Sequence, residues 1–86
     1  MKDFESQPFE LVDARGLLCP EPVMLLHKAV KRVGVEATIK LLTTDPSSER
    51  DVTRFCEFLN HELQQFEKNE SADAIEYCFW IKTRSG

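Results

Sequence analysis

Cysteine is scarce in this 86-residue sequence and scattered through it, at Cys19, Cys56 and Cys78, with no Cys-x-x-Cys pair. Three widely spaced cysteines make a poor disulfide framework, and a thioredoxin-type dithiol needs its second sulfur close by. Glycine also occurs only three times, and nowhere as the glycine-rich loop that cradles a phosphate. No apolar run is long enough to span a bilayer, and no secretory leader follows Met1. His27 and His61, taken with the three cysteines, fall at spacings that match no compact zinc motif, so no metal site is expected. A basic excess is missing too. Eleven Lys and Arg stand against fifteen Asp and Glu, a net charge of -4, which argues against a general nucleic-acid binder without excluding a local basic face. These absences leave a cytoplasmic setting, away from membranes and reducing enough to keep thiols free.

What is present fits a small folded domain, with 42% hydrophobic residues and six phenylalanines. A chain this short buries only about 60–65% of the surface that its unfolded form exposes, so it must fold compactly as one unit. Residues 1–8 are polar and charged, the pattern of a frayed tail, and 9–84 form the expected domain. Alternation over 9–14 reads as a strand, with Phe9, Leu11 and Asp13 on one side and Glu10, Val12 and Ala14 on the other. Arg15-Gly16 then turns the chain into Leu17-Leu18-Cys19-Pro20-Glu21-Pro22. Both prolines fit the first turn of a helix, where a missing N–H leaves no bond unmade. Val23, Leu26, Val30 and Val33 recur at helical spacing, and Gly34 stops the run.

A second strand is expected over 36–43. Asp45-Pro46 opens a second helix, the aspartate as its cap, and the stripe Val52, Phe55, Cys56 and Leu59 carries that helix to near Asn60. An edge strand over 63–68 and a turn over 69–73 lead to the clearest strand, 74–83. There Ile75, Tyr77, Phe79 and Ile81 alternate with Glu76, Cys78, Trp80 and Lys82. The order β-α-β-α-β-β predicts an α/β chain whose two helices cover one face of the sheet, with a closing hairpin.

The three cysteines differ in position. Cys56 sits within a helical apolar stripe and reads as a small buried hydrophobe. Cys78 lies opposite the apolar side of its strand, on a sheet face that is either covered or open to solvent. Cys19 falls between a glycine turn and a proline-started helix, where unpaired N–H groups and the helix dipole would stabilise a thiolate. The residues alone leave two readings of it open, a presented low-pKa nucleophile or a tolerated turn residue. His27 lies two turns along the same helix, too far to serve as its base, and His61 is not placed by the pattern. An exposed thiol with no base beside it suits a carrier, which accepts and gives sulfur while partners supply the catalysis.

The run Asp13-Ala14-Arg15-Gly16-Leu17-Leu18-Cys19-Pro20-Glu21-Pro22 resembles the signature of the TusA/SirA family of sulfur-carrier proteins. The likeness continues through Gly34, Thr44-Asp45-Pro46, Asp51-Val52, Phe55-Cys56 and His61-Glu62-Leu63, and extends over 9–84. It implies a two-layer α/β (α+β) sandwich with a four-stranded mixed sheet. It implies that Cys19 takes persulfide sulfur from a pyridoxal-phosphate cysteine desulfurase and hands it to a downstream sulfur-relay complex. The destination would be 2-thiolation of the wobble uridine of certain tRNAs, with molybdenum-cofactor synthesis or sulfur oxidation as alternatives. Such a protein takes part in sulfurtransferase chemistry without being a stand-alone catalyst, has no cofactor of its own, and passes sulfur through proteins rather than binding nucleic acid. Gly16, Pro20, Glu21 and Pro22 would shape the turn and helix start around the thiol. Leu18 stands where some relatives carry a charged or polar residue.

Two further expectations concern charge. Helix-terminal N–H groups and Arg15 are expected to hold the persulfide anion. Lys28, Lys31 and Arg32 on the first helix, with Arg50 and Arg54 on the second, form either a patch that steers toward an acidic partner or ordinary solvated faces. The rival reading of the whole chain is a thiol-independent interaction or regulatory module in which Cys19 is incidental. An RNA-binding domain rests on fold analogy alone and is opposed by the acidic balance.

Overall fold

Six elements form in the expected order in the structure, a computed structural model that describes residues 6–71 and 73–84. They are β1 (Glu10–Ala14), α1 (Glu21–Val33), β2 (Thr38–Thr43), α2 (Ser48–Leu59), β3 (Glu62–Glu70) and β4 (Ile75–Lys82). The strands make one four-stranded sheet in the order β1-β2-β4-β3. β1 and β2 are parallel, while β4 runs antiparallel to both β2 and β3. The sheet is therefore mixed, as expected, and β3 is an edge strand as its polarity required. The expected tail over 1–8 lies, for residues 1–5, outside the described residues.

Strand parity decides the layers. Val12 and Ala14, Ile39 and Leu41, and Tyr77, Phe79 and Ile81 are buried with Leu26 and Ala29 of α1 and Val52, Phe55 and Cys56 of α2. Both helices thus share one sheet face. In α1 the buried positions are Pro22, Leu26 and Ala29, and the valines of the expected stripe are partly buried around them. On the other face Cys78 and Trp80 are buried with Phe9 and Leu42 packed against them. Phe9 meets Trp80 edge to face, ring centroids 5.0 Å apart, and Lys40 Nζ lies 5.1 Å from the Trp80 ring centre. That face is covered at Cys78, which resolves the alternative left by the sequence.

Several boundaries move. Pro20 is the cap of α1 rather than a residue of its first turn, so Glu21 and Pro22 are the first two helical positions. The carbonyls of Leu18 and Pro20 take the N–H groups of Glu21 and Met24, at 2.9 and 3.1 Å. α2 starts at Ser48, later than the Asp45-Pro46 signal. The carboxylate of Asp45 accepts the N–H of Ser47 at 3.0 Å, so it caps the turn that precedes the helix. β3 runs to Glu70, two residues past its expected end, because it pairs with β4 throughout despite a register shift between Leu63 and Gln65. Gly34 ends α1, and Asn60, in the left-handed region, ends α2.

Candidate functional site

Two helix starts meet at one end of the sheet. β1 and β2 are parallel neighbours with Ala14 in register opposite Thr43, so the loops that leave them emerge side by side. Gly16 takes the left-handed conformation (φ 83°) that the first loop needs, and its N–H donates to Thr44 Oγ1 of the second loop at 2.9 Å. Asp45 ties the loops together a second time. Its Oδ2 accepts the N–H of Cys19 at 2.6 Å while Oδ1 holds Ser47, and the residue is only 8% exposed. These bonds keep the carboxyl below its usual range, the Ser47 N–H contributing most.

Cys19 is exposed, whereas Cys56 and Cys78 are buried. Its Sγ donates to Asp51 Oδ2, on the first turn of α2, at 3.0 Å. The other oxygen of Asp51 accepts Nε of Arg50 at 3.0 Å, which fixes the carboxylate with Oδ2 toward the sulfur. The expected low-pKa thiol is overturned. The hydrogen bond to Asp51, then loss of hydration, then the Asp51 charge push the Cys19 thiol above its ordinary value, against a smaller lowering by the Ser47 side chain, and Asp45 adds to the rise. Asp51 in turn is held below its usual range, first by the Cys19 thiol and then by Arg50. The α1 N-terminus does lie beside the thiol, but the nearest full charge is an anion, and it outweighs a partial helix charge of about +0.5. The expectation of no proton acceptor within reach fails for the same reason.

The thiol opens onto a groove of about 740 Å³ between the two helices, lined by Cys19, Pro20, Val23, His27, Asp51, Arg54, Phe55, Glu57 and Phe58. His27 reaches this groove by packing edge to face on Phe55, centroids 5.0 Å apart. His61 covers Phe55 as well, at 5.8 Å, and its Nδ1 accepts the N–H of Arg84 at 3.0 Å. Burial, and next the neighbouring His27, push the His61 pKa down. The large side chains of Leu18, Met24 and Phe58 stay exposed. Among the described residues no trio of His, Cys, Asp or Glu converges closely enough to hold a metal ion.

The other expected residues fall into separate settings. Gly16, Pro20, Glu21 and Pro22 do form the turn and helix start that present Cys19, across a cis Cys19–Pro20 peptide. Arg15 is engaged by carboxylates: its guanidinium binds Asp13 at 2.8–2.9 Å and Glu76 at 3.4 Å, and it lowers the Asp13 pKa to about 2. Arg32 pairs with Glu10, Arg50 with Asp51, and Arg54 lines the groove, while Lys28 and Lys31 are exposed on α1. Sequence reasoning missed Asp51 and the second role of Asp45. The available signal was topological: parallel neighbours joined by a crossover helix put both helix starts at the same sheet end, so Asp51 belongs beside Cys19 although 32 residues separate them.

Known proteins resemble this chain along most of its length. The chain is 42% identical over 85 residues to the sulfur carrier protein TusA of Pseudomonas putida, covering 99% of each chain. It is 44% identical over 75 residues to the protein of the same name from Pseudomonas aeruginosa, covering 87% of this chain and 90% of that one. Its fold matches the crystal structure of a SirA-like protein from Desulfitobacterium hafniense, with a TM-score of 0.65 at 22% identity, over 85% of this chain and 96% of the other. The model of the family described as Sulfurtransferase TusA matches residues 10–83. The chain belongs to the TusA family.

Proposed function

We propose that this chain carries sulfur as a persulfide on Cys19, accepted from a pyridoxal-phosphate cysteine desulfurase and relayed to downstream proteins for 2-thiolation of tRNA wobble uridines. The observation that carries the reading is the placement of Cys19, the one exposed thiol of the three, at the mouth of an open groove flanked by exposed apolar side chains. A small-molecule active site would enclose its ligand. An exposed sulfur on a groove that it shares with Val23, Phe55 and the exposed Phe58 suits a thiol that works inside protein–protein encounters. The names of the relatives, sulfur carrier proteins at more than 40% identity, support the same chemistry.

The step is an exchange at sulfur. Cys19 loses its proton, and the thiolate attacks the outer sulfur of a donor persulfide. The bond from Sγ to that sulfur forms as the sulfur–sulfur bond of the donor breaks. The donor cysteine leaves as a thiolate and takes up a proton. One sulfur atom has moved, with no net oxidation or reduction. Discharge is the same exchange in reverse sense, with an acceptor cysteine as the nucleophile.

Intact mass after incubation with a cysteine desulfurase, pyridoxal phosphate and cysteine tests acceptance. The wild type should gain one sulfur atom, reversibly on reduction, and Cys19→Ser should gain none. Loss of 2-thiouridine from the tRNA of cells whose only copy is Cys19→Ser tests the destination. Sulfur gain by the serine variant, or full tRNA thiolation with it, would return the weight to a thiol-independent interaction module.

A further inference from the structure

A carrier thiol that must become a thiolate is here bonded to a carboxylate. Asp51 is a pure acceptor when ionised, so its 3.0 Å contact with Sγ exists only while the thiol keeps its proton. Losing that proton would leave two anions 3.0 Å apart, with the Asp45 carboxylate a third negative group bound to the backbone of the same residue. The cations nearby do not reverse this. Arg50 is occupied by the far oxygen of Asp51, and Arg54 lines the same groove as Glu57 and His27. The geometry therefore suppresses the reactive form of the free protein, in the presence of an exposed sulfur.

We infer, resting on the carrier reading, that Asp51 determines which encounters Cys19 reacts in: it holds the free carrier as a thiol, and sulfur donors and acceptors that present a cation to Asp51 Oδ2 release the thiolate. A partner cation satisfies Oδ2 in place of the Sγ proton, so the proton departs and ends on the thiolate that leaves the donor. Loading works in the same direction. Once the outer sulfur is attached, Sγ has no proton to donate, and Asp51 faces an acidic persulfide that it repels toward the acceptor. Arg50 is a positioning residue in this scheme, since it aims Oδ2 and offsets part of its charge.

The test reads the alkylation rate of Cys19 by iodoacetamide against pH, on the whole chain, with the labelled site located by mass spectrometry. Asp51→Asn keeps the shape and removes the charge; it should alkylate about tenfold faster at pH 7, the factor expected for one unit charge at 3.0 Å in a water-like medium. Arg50→Gln should alkylate more slowly, because it exposes Cys19 to the full Asp51 charge. A merely structural loosening would move both variants the same way, and that result overturns the inference. The selection for cations is read with disulfides: the preference of the wild type for cystamine over neutral bis(2-hydroxyethyl) disulfide at low salt should shrink in Asp51→Asn. An unchanged preference overturns it. These rates need no desulfurase. A wild type that takes no sulfur while the variants split as described refutes the carrier reading alone, and normal sulfur loading with unsplit rates refutes the role of Asp51 alone.

Discussion

Asp45 makes the sharpest link between the fold and the site, and Asp45→Ala tests it. The substitution removes an acceptor from two backbone N–H groups, that of Cys19 at 2.6 Å and that of Ser47 at 3.0 Å. Hydrogen bonds to a charged group contribute about 1.5–3 kcal/mol each. Both donors belong to loops at the surface, and water can replace part of what they lose, so a total near 3 kcal/mol is expected. Unfolding entropy of about 2.1 cal/mol/K per residue gives roughly 0.18 kcal/mol/K for a chain of this length, which converts the loss to a fall in Tm of about 17 °C.

The pH dependence carries the sign. The folded pKa of Asp45 is depressed below the ordinary 3.8, so its contribution is present above that value and is lost as pH falls through the folded pKa. Melts followed by circular dichroism should show a wide gap between wild type and Asp45→Ala at pH 7 that narrows from about pH 4 downward. Amide exchange at Cys19 should accelerate in the variant, since that N–H then depends on water. A fall in Tm below about 4 °C, or a gap of equal size at neutral and acid pH, would refute the claim that the carboxylate holds both loops.

Other perturbations read the remaining links. Leu26→Ala, at a fully buried position of α1, should cost about 2–5 kcal/mol by chemical denaturation with little change in m-value. Cys56, which burial pushes up to about 11, and Cys78, buried on the other face, should resist iodoacetamide in the folded protein and label on denaturation, as peptide mapping would show. His61 is held neutral by burial and accepts the Arg84 N–H, so thermal stability should decline as pH falls from the unfolded value near 6.5 through the lower folded pKa, and His61→Phe should flatten that decline. Gly16→Ala meets no atom within 4 Å, so its cost, about 1–2 kcal/mol in a urea melt, is the left-handed backbone alone.

Much of the fold was legible because period and parity are local. The alternation of Ile75, Tyr77, Phe79 and Ile81 against Cys78 and Trp80 predicted the two faces of β4, and the i, i+3, i+4 spacing of Val52, Phe55 and Cys56 predicted the buried side of α2. Pro20 was misplaced by one turn position because a proline that fits the first helical residue fits the cap as well. The exposure of Cys19 was anticipated from its turn, but its chemistry was not. A cysteine at a helix start reads as a stabilised thiolate when only its own segment is considered. The controlling groups, Asp45 and Asp51, arrive from a segment 26 and 32 residues away, and no local pattern carries them.

The same topology explains why the site holds opposing influences. A right-handed crossover between parallel neighbours puts two helix starts together, and helix starts favour acidic residues in their first turn, as Glu21, Glu49 and Asp51 show. Each carboxylate stabilises its own helix, yet one of them lies against a thiol that its neighbouring helix presents. The helix-start preference and the thiolate requirement therefore conflict at one point, 3.0 Å across. In an enzyme that ionises its own nucleophile, that conflict would depress the rate of every turnover. Under the proposed relay it would fall only on the free protein, whose groove no partner covers. An arrangement unfavourable to reactivity in isolation is consistent with chemistry shared between partners, and it makes the isolated thiol the wrong place to measure the competence of the carrier.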